Sequence, residues 1–107
     1  MIKELFKERK WKREGNIFYH KQVYFDGNVY IYAVDMDDEE MKHPYYEVFK
    51  RKIIPDIKVV EGKFVKSNDN FHVKYPGNED FGKWARNCST YEDAMKYVEE
   101  WSSEHQK

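Results

Sequence analysis

From Ile17 to Phe25 the chain runs almost without a helix former, and Ile17, Tyr19, Val23 and Phe25 share one parity. That period of two predicts a strand. Asp26-Gly27-Asn28 follows, a cluster that readily takes positive φ, and Val29 to Val34 then repeats the β-branched and aromatic pattern. The two segments therefore read as a hairpin. In its second strand Val29, Ile31 and Ala33 fall on one face and Tyr30, Tyr32 and Val34 on the other. Both faces are partly apolar, so each needs a cover.

Tyr45 to Ile53 predicts a third strand, with Glu47, Lys50, Arg51 and Lys52 interleaved and Pro55 closing it. Ile57 to Lys66 reads as a weak fourth strand broken by Glu61-Gly62. Ser67-Asn68-Asp69-Asn70 reads as a polar turn before Phe71, Val73 and Tyr75, which alternate inward. Pro76-Gly77-Asn78 forces a loop, and Phe81 to Cys88 forms a last strand carrying Trp84, although Arg86 shares a face there with Trp84 and Cys88.

The period then changes. Tyr91, Ala94, Met95, Val98 and Trp101 recur at helical spacing, and Ser89 followed by Glu92 has the form of a capping box. Glu92 and Asp93 lie in the first turn, where the helix dipole favours them, while Glu99, Glu100 and Glu104 face water. At the other end, residues 1–14 place Ile2, Leu5 and Phe6 at helical spacing among Lys3, Lys7, Arg9, Lys10, Lys12 and Arg13. This predicts a short helix or a basic N-terminal arm. The pattern as a whole predicts an α+β fold, an antiparallel β-sheet of about four to six strands with a C-terminal helix packed on one face, in a single domain over residues 1–107.

Composition changes this picture in one respect. Only 40% of residues are hydrophobic and 36% are charged, but 18% are aromatic. The core must therefore be built from rings, since each buries a large area. A net charge of -1 argues against a chain whose main business is neutralising phosphates. Cys88 is the lone cysteine and forms no internal disulfide, and no apolar run approaches the ~20 residues of a membrane span. The expectation is a cytoplasmic protein with no membrane partner.

Candidate chemistry is sparse. His20, His43, His72 and His105 lie on separate elements without zinc-binding spacing, so they read as surface histidines and no metal is expected. Asp35, Asp37, Asp38, Glu39 and Glu40 lack the central Gly and distal Glu of an EF-hand loop. The same carboxylates beside an aromatic strand are suited to a basic partner surface. Cys88 just before a helix N-terminus is where a thiolate would be stabilised, and His72 would approach it if their strands paired. A small buried hydrophobe is the commoner role for such a cysteine. No nucleophile elbow, phosphate-cradling Gly-rich loop or Cys-x-x-Cys pair occurs, so neither enzyme nor cofactor is expected.

Tyr19, Lys21, Tyr24, Tyr30 and Tyr32 alternate rings with a cation, the material of a stacking platform for single-stranded nucleic acid. Lys10, Lys12 and Arg13 would supply its phosphate contacts. The competing account is that these rings are the core. Tyr75-Pro76-Gly77-Asn78-Glu79-Asp80-Phe81-Gly82-Lys83-Trp84-Ala85, followed by Ser89-Thr90 and the capped helix, resembles a pattern in small uncharacterised bacterial and phage or plasmid proteins. The resemblance covers the last third of the chain, implies a strand, loop, strand and helix ending, and carries no activity.

The reading that follows is a small non-enzymatic binding protein that contacts another protein through its acidic loop and aromatic sheet. Nucleic-acid binding through the tyrosines and basic arm is the rival, and a homodimer is a further expectation for a sheet with two apolar faces.

Overall fold

The chain is α+β, with antiparallel strands dominating and one C-terminal helix packed against a sheet. The computed structural model describes residues 1–105, with side chains as far as Ser103, so the Glu104 and His105 side chains lie outside the described residues. The elements in chain order are β1 (Ile2–Lys3), β2 (Glu8–Arg13), β3 (Asn16–Phe25), β4 (Val29–Met36), β5 (Tyr45–Lys50), β6 (Ile53–Val60), β7 (Lys63–Val73), a 3-10 turn (Asn78–Asp80), β8 (Ala85–Cys88) and α1 (Tyr91–His105). They fall into two units, one of residues 1–5 and 51–75, the other of residues 6–50 and 76–107.

The larger unit holds the sheet β2-β3-β4-β5-β8. The predicted hairpin forms as β3 and β4, and Asp26 makes its turn: one carboxylate oxygen accepts the Asn28 and Val29 N–H groups, each at 2.8 Å. A bulge between Gln22 and Tyr24 resets the register so that Phe25 meets Tyr30. β4 is covered on both sides. On one, Val29 and Ile31 join Val48, Cys88, Ala94, Val98 and Trp101 beneath α1. On the other, Tyr30, Tyr32 and Phe49 are fully buried, with Phe49 stacked on both tyrosines and Phe25, Phe6 and Trp84 extending the set of rings.

Where the spacing of Ile2, Leu5 and Phe6 predicts a short helix or a basic arm, the chain forms the strands β1 (Ile2–Lys3) and β2 (Glu8–Arg13). Glu14 (φ 52°) and Gly15 (φ 85°) make a two-residue loop that closes Arg13 against Asn16. Both positive φ values match the right-handed twist of a hairpin, and that turn commits β2 to pair with β3. Trp11, off the helical stripe, then lies directly opposite Phe18.

The helix stripe is as predicted, with Ala94, Val98 and Trp101 buried. Its cap is not: the helix starts at Tyr91, and Thr90 Oγ1 accepts the Asp93 N–H at 3.1 Å, so Thr90 takes the place expected of Ser89. The last strand is shorter than expected, because residues 81–84 turn, with Gly82 N–H donating to the Ala85 carbonyl. Arg86 is accommodated on the α1 side by lying over the Tyr97 ring, 5.6 Å from its centroid.

The smaller unit is the sheet β1-β7-β6, with β1 parallel to β7 at Ile2 and Phe71. The segment read as one broken strand is a hairpin: Glu61 (φ 51°) and Gly62 (φ 77°) form another two-residue turn between Val60 and Lys63. Pro55 does not end a strand but sits inside β6, opposite Phe71. The polar run Ser67–Asn70 becomes a bulge within β7, since Ile57 pairs with Lys66 while Pro55 pairs with Phe71. Ser67 Oγ organises it by accepting the Asp69 and Asn70 N–H groups at 3.3 and 3.0 Å.

Candidate binding surfaces

The acidic segment after β4 spends most of its carboxylates on its own geometry. Asp35 is buried and accepts the His43 N–H at 3.2 Å. Asp37, at φ 58°, accepts the Ile17 N–H at 2.8 Å. Asp38 accepts the Glu40 and Lys42 N–H groups at 3.0 and 3.1 Å. Glu39 and Glu40 are exposed, with Lys42 Nζ 3.2 Å from Glu40. Of the five carboxylates predicted to meet a partner, Asp35, Asp37 and Asp38 are thus structural, and Glu39 and Glu40 are the exposed acids without a backbone hydrogen bond. Replacing Asp38 with Ala is expected to lower stability by about 1–2 kcal/mol in urea unfolding, the cost of two lost turn hydrogen bonds. Replacing Glu39 with Ala should stay within about 0.5 kcal/mol.

The tyrosine platform is divided by burial. Tyr30 is 1% and Tyr32 0% exposed, so neither ring can stack on a base. The Tyr32 hydroxyl donates to the Phe6 carbonyl and accepts from Gln22 Nε2 at 3.0 Å, satisfying its polar end inside the unit. Lys10, Tyr19 and Lys21 stay near the surface, where Lys10 Nζ lies 5.9 Å from the Tyr19 ring centroid.

One cleft of about 510 Å³ collects residues from both sequence readings: Lys10, Tyr19 and Lys21 on one side, Glu39 and Glu40 on the other. Its cations and anions offset one another, so it presents neither a phosphate-binding nor a cation-binding field. His20 contributes to the wall while itself buried in β3. Burial, and then the Arg9 charge, pull its imidazole down to about 4, against the opposite pull of Glu47 Oε1 at 3.9 Å.

Lys12 and Arg13 are exposed on β2, the end strand of its sheet. Trp11, between Arg9 and Arg13 on the same strand, is 44% exposed, with the Arg9 and Arg13 guanidinium carbons 5.2 and 5.8 Å from its ring. Parity, read for a strand, would have found this cluster in the sequence.

Cys88 lies in a second cleft of about 400 Å³ with Asp93, Lys96 and Tyr97. Burial and the Asp93 charge push its thiol up, with Arg86 opposing, which is the reverse of what a nucleophile needs. His72 does not pair beside it: β7 and β8 belong to different sheets, and His72 instead contacts Asp56 at 2.5 Å.

After Met1, the most exposed of the large apolar residues lie elsewhere, on the β6–β7 hairpin. Ile57, Val59 and Phe64 are 66%, 65% and 83% exposed, and Val60 and Val65 are exposed as well. Directly paired residues share a face, so the pairing of Val59 with Phe64 puts Ile57, Val59 and Phe64 together. Lys58, Val60, Lys63 and Val65 occupy the other face. Residues 1–5 and 51–75 carry seven Lys and Arg against four Asp and Glu, while the rest of the chain carries twelve against sixteen. The basic character of the chain thus resides in the unit that holds this hairpin. A two-stranded ribbon with both faces in water is marginally stable by itself, and clustered exposed apolar side chains on a strand pair mark a contact surface. Comparison with protein-family models, with curated proteins and with solved structures finds no match for this chain.

Proposed function

We propose that this chain is a non-enzymatic protein-binding module whose principal contact element is the β6–β7 hairpin. The observation that carries this reading is the exposure of Ile57, Val59 and Phe64 on one hairpin face, next to Lys58, Lys63 and Lys66. Apolar area of this kind drives association, and cations around it select the partner by charge. The acidic loop contributes at most Glu39 and Glu40, its other carboxylates being committed to turn geometry.

The test compares the tagged protein with the variant Ile57→Ser/Val59→Ser/Phe64→Ser in capture of partner proteins from a lysate of the source organism. Loss of the captured proteins with a Tm changed by only a few degrees is the expected result, since exposed substitutions are nearly neutral for stability. Capture that survives the triple change would remove the hairpin from the proposal.

A second reading, single-stranded nucleic-acid binding, is favoured by β2, where Arg9, Lys10, Lys12 and Arg13 surround Trp11 on an edge strand. It requires an oligonucleotide mobility shift that weakens steeply with salt and with Trp11→Ala. No shift at low salt disposes of it.

A further inference from the structure

We propose that the outer edge of β6 takes up an extended segment of a partner protein in which apolar and acidic residues alternate. The inference rests on the protein-binding reading above and specifies its ligand. β6 is the end strand of the order β1-β7-β6, so its ladder is made on one side alone. Ile57, Lys58, Val59 and Val60 are all exposed, which leaves the backbone of that stretch accessible to an incoming strand. Pro55 lacks an N–H, and it limits the usable edge to the part of β6 that follows it.

Parity then dictates the composition of the added strand. Positions opposite Ile57 and Val59 lie on the face of Phe64 and call for apolar side chains that complete a patch already present. The position opposite Lys58 lies on the other face, which also carries Lys63, and calls for a carboxylate. Successive residues of a strand point to opposite faces, so opposite Ile57, Lys58 and Val59 the two demands combine into an apolar, acidic, apolar alternation. Charge disfavours the other occupants. A second copy paired edge to edge about Lys58 would set that lysine against its own counterpart. A phosphate polymer would neutralise the lysines but leave Ile57 and Val59 in water, and an anionic membrane would meet Glu61 at the hairpin apex.

The experiment titrates the full chain with fluorescein-labelled ten-residue peptides of alternating Val-Glu, Val-Lys and Ser-Glu, read by fluorescence anisotropy over a salt series. The expected result is binding of Val-Glu at least tenfold tighter than either other peptide, weakened by salt and abolished when alternate backbone nitrogens of the peptide are methylated. Lys58→Glu/Lys63→Glu, with unchanged circular dichroism, should reverse the preference toward Val-Lys. Equal binding of Val-Glu and Val-Lys, or indifference to the charge reversal, overturns the proposal. So does a sedimenting dimer dispersed by Phe64→Ser, or binding of phosphatidylserine vesicles without binding of any peptide. Failure of the Val-Glu peptide while the triple hairpin change still abolishes lysate capture refutes the alternating strand and leaves the protein-binding reading standing. Unchanged capture refutes both.

Discussion

Replacing Phe49 with Ala is expected to cost about 3–5 kcal/mol, a large share of the stability of a domain this size. Phe49 is fully buried on the face of β4 and β5 away from α1. Its ring centroid lies 5.4 Å from that of Tyr30 and 5.7 Å from that of Tyr32, both stacked, and Trp84 meets it edge-on at 6.3 Å. Truncation would remove the ring's transfer free energy and leave a cavity lined by other rings, which are too rigid to collapse into it. Thermal unfolding should show a Tm lowered by more than about 10 °C. Phe64→Ala is the matched control: the same atoms are deleted from a side chain 83% exposed, and the expected change is within about 0.5 kcal/mol. Comparable losses at the two positions would mean that the ring cluster is not the core, or that Phe64 is covered in solution.

The second large effect is a pH dependence centred on His20. Its imidazole titrates near 4 in the folded chain, because burial and Arg9 disfavour the cation, against an ordinary value of 6.5. Between those values the unfolded chain binds the proton and the folded chain does not, so stability rises with pH across the interval. The contribution is fully present above about 6.5 and is lost as pH falls toward 4, amounting to up to about 3 kcal/mol. Urea titrations from pH 7.5 to 4 should show the decline in the native chain and a flatter profile in His20→Gln. Asp26 acts in a separate window. Partial burial would raise its carboxyl, but the Asn28 and Val29 N–H groups outweigh this and hold it below its ordinary 3.8, so its contribution disappears only at still lower pH. Identical slopes for the native chain and His20→Gln would refute the assignment.

Elements whose signals are local were legible in the sequence. The β3–β4 hairpin announced itself because Asp26-Gly27-Asn28 supplies both the turn conformation and the hydrogen-bond acceptor within a few residues. The α1 stripe was legible because helical period and burial coincide, and its cap moved by one residue because Thr90 and Ser89 offer equivalent hydroxyls. The β6–β7 hairpin was missed because its turn uses Glu61-Gly62 and not an Asn-Gly or Asp-Gly pair, and because Pro55 looked like a terminator. Within residues 1–14, three apolar residues at helical spacing fit a short helix, an arm or two short strands, and only pairing with β3 and β7 decides between them.

The candidate site divides in the same way. Sequence placed carboxylates after β4 and rings on β3 and β4, but exposure is a property of neighbours, and these are set by strand pairing. Tyr30 and Tyr32 are core because Phe25, Phe49 and Phe6 close over them. Asp35, Asp37 and Asp38 are structural because positive φ and tight turns put N–H groups within their reach. By itself the sequence determined the α+β class, the main hairpin, the helix and an aromatic core, since these follow from short-range periodicity and composition. Tertiary structure alone decided which apolar residues stay in water, because Ile57, Val59 and Phe64 differ from buried residues only in having no layer packed against them.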